Sequence, residues 1–250
     1  MDYLFIIILG LLIGSFLNVC IYRIPREESI SYPPSHCTSC GRKLRWYDLV
    51  PVFSFLLLKG RCRSCGERIS WRYPIIEFVN CLVYVAVYVE YGITPEFVKF
   101  AFLGSLLIVI GMIDLDTTDV YLKTTLTGFV FGIVWIVYSY FTTGEFLAYI
   151  AGGALSGGLI ILIILLTHGM GWGDFEICLI VGIFLGFRLS ILMLFLSFLL
   201  GGTMGIILLI SKKKSRKDYI PFGPYIAAAG IITMLIGTDI INWYLSLINI

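Results

Sequence analysis

The sequence predicts an all-α polytopic membrane protein: about eight transmembrane helices with a small cytoplasmic zinc-binding insert. Three observations lead there. Hydrophobic residues make up 59% of the 250 and charged residues 14%, and the mean hydropathy is +0.95. The apolar residues gather into stretches close to the roughly 20 residues that cross a bilayer. A basic polar segment after the first stretch carries two CxxC pairs. A soluble fold of this length would need more polar surface, so lipid is the main solvent.

The apolar stretches run near 3–22, 74–91, 96–113, 125–141, 146–166, 175–187, 189–210 and 222–248. The sixth is short. As one helix, 175–210 would be roughly 54 Å long at 1.5 Å per residue, which places Arg188 in a turn between two spans. The first stretch has no basic residue before it, and Asn18-Val19-Cys20-Ile21-Tyr22-Arg23 lacks a small-residue cleavage pattern, so it reads as a retained helix. No internal repeat is visible. The expected organisation is a first transmembrane helix (1–22), a cytoplasmic CxxC...CxxC domain (23–73) and a membrane-embedded helical domain (74–250).

Lys and Arg collect on the cytoplasmic side of membrane proteins. Of the 18 basic residues, ten lie between Arg23 and Arg72, one is Lys123 and five lie in Lys212 to Lys217. Eight spans with the first loop inside put these sixteen on one face and leave only Lys99 and Arg188 on the other. Both termini then fall outside. The net charge of +2 gives no reason to expect a nucleic-acid partner, and the Lys212 to Lys217 run reads as a topology signal or a lipid-headgroup contact.

The insert carries Cys37-Thr38-Ser39-Cys40-Gly41 and Cys62-Arg63-Ser64-Cys65-Gly66, with 21 residues between Cys40 and Cys62. Each CxxCG makes a tight turn that aims two thiolates at one point, and two such knuckles complete a tetrahedral zinc site. A reducing cytoplasm argues against disulfides. With Cys37, Cys40, Cys62 and Cys65 as ligands every position is filled by protein, and the metal is structural. His36 reads as a neighbour of the site, and Cys20, Cys81 and Cys178 as buried apolar filler.

An Asp at a transmembrane helix centre costs roughly 2.5 to 3.5 kcal/mol on insertion scales. Asp114 and Asp116 follow the apolar run Leu106 to Ile113, with Asp119 beyond, and Asp174 opens the sixth stretch. Two distant positions thereby bring carboxylates to one membrane face, where a facing pair can share a proton and hydrolyse a peptide bond. Gly171 and Gly173 leave room for an extended substrate backbone. A helix N-cap accounts for Asp174 equally well. Asp114, Asp116, Asp119, Asp174 and Glu176 form either an acidic patch suited to a basic peptide or five separately solvated acids. Glu77 and Asn80 bond across helices or contact substrate. His168 assists proton transfer or is a structural interfacial residue at a helix end. The Gly152 to Gly158 run permits close packing of helices or of a substrate helix.

Six segments in order resemble the bacterial type IV prepilin peptidases: Gly14-Ser15-Phe16-Leu17-Asn18-Val19 with Arg23-Ile24-Pro25; the two CxxCG pairs with Leu44-Arg45-Trp46-Tyr47-Asp48 between them; Ile69 to Glu77; Ile113-Asp114-Leu115-Asp116; Met170-Gly171-Trp172-Gly173-Asp174; and Ile220-Pro221-Phe222-Gly223-Pro224. The resemblance implies a GxGD aspartic endopeptidase of the bacterial inner membrane, active at its cytoplasmic face. Its substrates would be prepilins or secretion pseudopilins with a basic leader and an apolar helix. It also implies N-methylation of the new terminus from S-adenosylmethionine, although no residue is identifiable as a ligand of that cofactor. Carried over by position, the catalytic residues are Asp114 and Asp174, with Asp116, Gly171 and Gly173 in support. Two departures stand out: Val120-Tyr121-Leu122 where the family has Ile-Pro-Asp, and Glu176 where it favours Lys. The rival reading is a zinc-stapled transporter or proton-coupled channel that uses the same acids.

Overall fold

A computed structural model describes residues 1–167, 169–211 and 220–247. His168 and the Lys212 to Lys217 run lie outside the described residues. Among those described there is no strand, only two isolated bridges, His36 to Lys43 and Arg61 to Arg68. The helices are α1 (Asp2–Arg23), α2 (Phe53–Leu57), α3 (Arg72–Tyr91), α4 (Pro95–Thr117), α5 (Leu122–Thr142), α6 (Phe146–Thr167), α7 (Trp172–Leu185), α8 (Phe187–Ile210) and α9 (Gly223–Leu247). Helices are what lipid demands, because each backbone N–H and C=O must be satisfied within its own segment.

Seven of these helices are long and apolar enough to span a bilayer. The sixth expected span is α7, a helix of only 14 residues, roughly 21 Å long at 1.5 Å per residue. The break after it also differs from expectation. It falls at Gly186, whose φ of +79° and ψ of 172° are open only to glycine, and Arg188 sits exposed in the first turn of α8 rather than in a turn.

The chain forms two compact units, Met1–Phe97 and Val98–Ile250. In the first, α1 packs along α3. Gly10 and Gly14 allow the approach: a Cβ on Gly10 would lie 2.8 Å from Cys81 Cα, and one on Gly14 would lie 2.7 Å from Glu77 Cα. The Asn80 amide donates to Gly10 O at 2.8 Å, and the Asn18 amide to Tyr73 O at 3.1 Å, so Asn80 takes the cross-helix role.

In the second unit α4 is the most enclosed span, with most of its residues buried. Short α7 packs against α5, α6, α8 and α9. The small residues of α6 serve this packing, with Gly152 and Gly153 against the Gly182 to Gly186 end of α7. Lys99 is buried in α4 with its Nζ 4.0 Å from the Phe100 ring centroid, 4.5 Å from Trp135 and 5.0 Å from Tyr149. Aromatic faces stabilise a cation that has left water.

Candidate functional site

The second unit brings Asp114 and Asp174 to one cavity. Asp114 lies near the end of α4, 2% exposed, and Asp174 in the first turn of α7, 4% exposed. Both line a space of about 280 Å³ together with Thr118, Asp119, Val120, Gly171, Trp172, Gly173 and Glu176. No basic residue is among these lining residues. Asp116 is exposed and does not line the cavity: two residues along a helix is a rotation of about 200°, which turns it away from Asp114.

Each buried carboxyl is held by a backbone donor. Gly171 N–H donates to Asp174 Oδ2 at 3.0 Å while Asp174 N–H donates to Gly171 O at 3.2 Å, a reciprocal cap at the start of α7. Asp174 is therefore a capping residue as well as a cavity acid. Gly223 N–H, at the start of α9, donates to Asp114 Oδ2 at 2.9 Å. The first N–H groups of a helix have no partner within it and favour negative charge. Gly223 was not among the expected site residues. Its signal is a glycine between Phe222 and Pro224 at a helix start, where a Cβ would lie 2.6 Å from Asp114 Oδ2.

Gly173 lines the cavity and has a second reason beside the one expected. The room that a Cβ would need is filled by Val120, whose Cγ2 would lie 2.5 Å away and whose Cβ 2.7 Å. The segment Thr118 to Tyr121 thus closes on the α7 turn, helped by the left-handed φ of +58° at Thr118. Val120, one of the departures, is itself part of the cavity lining.

In the first unit the two CxxCG knuckles close on one another. Gly41 N–H donates to Cys37 O at 2.9 Å and Gly66 N–H to Cys62 O at 3.0 Å, with φ of +70° and +73° at the two glycines. The four sulfurs of Cys37, Cys40, Cys62 and Cys65 lie within 4.8 Å of one another, and Cys37 Sγ is 3.8 Å from Cys65 Sγ. A tetrahedral ion with metal–sulfur bonds of about 2.3 Å needs sulfurs about 3.8 Å apart, so the cluster can hold a metal ion. All seven cysteines are free. The Cys40 and Ser39 N–H groups hold the Cys37 thiol down to about 6. Cys65 goes the other way, to about 12: the Glu67 N–H favours its thiolate, but desolvation and the three neighbouring thiols outweigh it. Four thiolates at this spacing need a cation to be ionised together.

His36 Nδ1 lies 3.1 Å from Pro34 O and stays outside the ligand set. Asp48 braces the insert through Arg63 Nε at 2.8 Å. Its desolvation is overridden by the Arg63 hydrogen bond, which holds its carboxyl below the usual range.

A multi-pass helical membrane protein with a paired-cysteine insert and two buried aspartates on one cavity is the class these features define. Residues 8–91 match the Bacterial Peptidase A24 N-terminal domain, and residues 101–206 the Type IV leader peptidase family. The relatives include the prepilin leader peptidase/N-methyltransferase of Pseudomonas putida, 35% identical with 93% of this chain and 90% of the relative covered. The protein of the same name from Aeromonas salmonicida is 33% identical, covering 97% and 94%, and that of Bacillus subtilis 32%, covering 96% of both. No solved structure matches the chain. The chain belongs to the type IV leader peptidase family.

Proposed function

We propose that the chain removes the short basic leader of type IV prepilins or pseudopilins at the cytoplasmic membrane face, and then methylates the exposed N-terminal amine from S-adenosylmethionine. The names and coverage of the relatives support both activities. The observation that carries the proteolytic half is the burial of Asp114 and Asp174 on one cavity, each held by a backbone N–H. One ionised carboxyl takes a proton from the attacking water while the other, protonated, polarises the scissile carbonyl. The proton taken from water passes to the departing amine. Asp119 and Glu176 on the same cavity suit a Lys/Arg-rich leader. An unchanged KM for Asp119→Asn and Glu176→Gln across a range of salt would remove that electrostatic role.

Zinc is the metal that best suits four thiolates in the insert, and there it is structural. The proposed division is a first span (1–22), the zinc domain (23–73) and the peptidase body (74–250). The zinc domain and active site lie on the cytoplasmic side of a bacterial inner membrane, with both termini outside.

The deciding experiment is cleavage of a prepilin-like substrate by purified wild type, Asp114→Asn, Asp174→Asn and Asp116→Asn proteins in detergent. The first two variants lose at least about 1,000-fold in rate and Asp116→Asn retains most of it. Equal cutting by all four would end the dyad assignment, and an uncut substrate with wild type would reopen the transport reading.

A further inference from the structure

Between Asp48 and Lys59 the insert holds Leu49-Val50-Pro51-Val52-Phe53-Ser54-Phe55-Leu56-Leu57-Leu58, a run in which only Ser54 carries a polar side chain. Neither the aspartate cavity nor the thiolate cluster includes any of these residues. A domain solvated by water would turn such a run inward. Here Pro51 and Phe55 are buried, Phe55 with its ring centroid 4.7 Å from that of Trp71. Phe53, Leu56 and Leu57 of α2 are instead 60%, 56% and 83% exposed, and Leu49 and Val50 are exposed before them. Apolar side chains left outward this closely along a chain mark a contact with a partner or a membrane.

Two measurements within the first unit place the run at membrane depth. The Val52 N–H, near its middle, donates to Glu77 Oε2 at 2.7 Å. Glu77 lies five residues along the spanning helix α3 from Arg72, roughly 7.5 Å at 1.5 Å per residue. Glu77 in turn packs on Gly14 of α1, where a Cβ would lie 2.7 Å from Glu77 Cα. Gly14 is nine residues short of the helix end at Arg23, roughly 13 Å by the same rise. The run is therefore pinned beside two spans and inside their ends, at the level of Ile75 and Phe78, which α3 also leaves exposed.

Its flanks carry the opposite chemistry. From Arg42 to Arg72 there are eight basic side chains and two acidic ones, Asp48 and Glu67, and Asp48 is taken by Arg63. Trp46 before the run and Trp71 after it are exposed. Tryptophans and cations around an apolar ridge are the composition that settles in the interface, the apolar part sunk roughly 5–10 Å into the headgroup and acyl boundary. An excess of positive charge there favours anionic lipid.

We infer that residues 49–58 form an interfacial anchor, which sinks Phe53, Leu56 and Leu57 among the acyl chains of one leaflet and sets its basic flanks on the headgroups of anionic phospholipid. The occupant is lipid because the Val52 to Glu77 hydrogen bond fixes the run where the bilayer already lies against α1 and α3. The insert is then tied to the membrane at three places, its junctions with the two spans and this run, and the thiolate cluster is held at a set height over the leaflet.

The test uses the full metal-loaded chain in vesicles of phosphatidylcholine with and without phosphatidylglycerol, each containing a trace of phospholipid with a benzophenone high on one acyl chain. After irradiation, peptide mass spectrometry finds residues 49–58 labelled within about threefold of the yield on Phe78 and Leu82 of α3. Without phosphatidylglycerol the yield on the run falls by about threefold or more while that on α3 holds. Phe53→Gln with Leu57→Gln lowers label on the run by about tenfold and leaves α3 unchanged; the wild-type map stands by itself if that variant does not fold. An unlabelled run beside a labelled α3 overturns the anchor, and equal yields in the two vesicles overturn its preference for anionic lipid. Leu57→benzoylphenylalanine separates the other occupants. Cross-links to phospholipid support the anchor, whereas cross-links to residues 98–250, to a second copy or to an added prepilin-like substrate give the surface to protein and overturn it.

Discussion

Replacing Gly223 by Ala perturbs the aspartate site where backbone holds a proposed catalytic carboxyl. The Gly223 N–H reaches Asp114 Oδ2 at 2.9 Å, and a Cβ at 223 would lie 2.6 Å from that oxygen, 3.1 Å from Asp114 Cγ and 3.2 Å from Ile177 Cδ1. Carbon and oxygen do not rest at that separation without a bond, so either the carboxyl swings or the start of α9 withdraws. Each movement lengthens the hydrogen bond past its useful range. A hydrogen bond to a charged group contributes about 1.5–3 kcal/mol, and tenfold in rate is about 1.4 kcal/mol. The kcat/KM for leader cleavage therefore falls by about 10- to 150-fold, mostly in kcat because the contact orients a reacting group. The assay is steady-state cleavage of a prepilin-like substrate in detergent, with Gly158→Ala as the control because nothing lies within 4 Å of a Cβ there. If Gly223→Ala elutes as a folded protein and cuts within about twofold of wild type, the Asp114 hydrogen bond is no part of catalysis and the reasoning fails.

Gly173→Ala drives a methyl into Val120 and lowers cleavage by about tenfold or more, while Gly173→Ala with Val120→Ala recovers most of the loss; a double variant no better than the single one would show that the cost lies with substrate approach instead. Elemental analysis of the purified chain finds one thiophilic metal ion per chain, and Cys62→Ser or a strong chelator removes it and opens residues 36–68 to limited proteolysis; unchanged protection without metal would make the cluster ornamental. The Cys37 thiol sits below its ordinary value, at about 6. In the metal-free chain the Cys37 thiolate is thus mostly formed at neutral pH and lost as pH falls through that value, which the rate of Cys37 alkylation against pH would check; a rate still rising steeply above pH 8 would refute it.

Much of the fold could be read from hydropathy because lipid leaves the backbone no alternative to helices. α1, α3, α5, α6 and α8 end within about three residues of the apolar runs that announced them. α4 does not: apolarity stops at Ile113, but the helix continues to Thr117 and carries Asp114 inward. The break between α7 and α8 was visible as a length problem, yet its position at Gly186 depends on a φ that composition does not report. Asp114 and Asp116 are equivalent by spacing from the apolar run, and only their rotation about α4 separates a buried acid from an exposed one.

The sequence alone determined the membrane class, the helical architecture, the four-thiolate cluster and the family, because hydrophobic length, CxxCG turns and ordered motifs are local properties of the chain. Tertiary structure alone decided that α4 and α7 converge on one cavity, that Gly223 holds Asp114, that Val120 fills the space a Gly173 Cβ would need, and that Asn80 bonds across to α1. Each of these joins residues far apart in the chain, through packing and hydrogen bonds that no local pattern records.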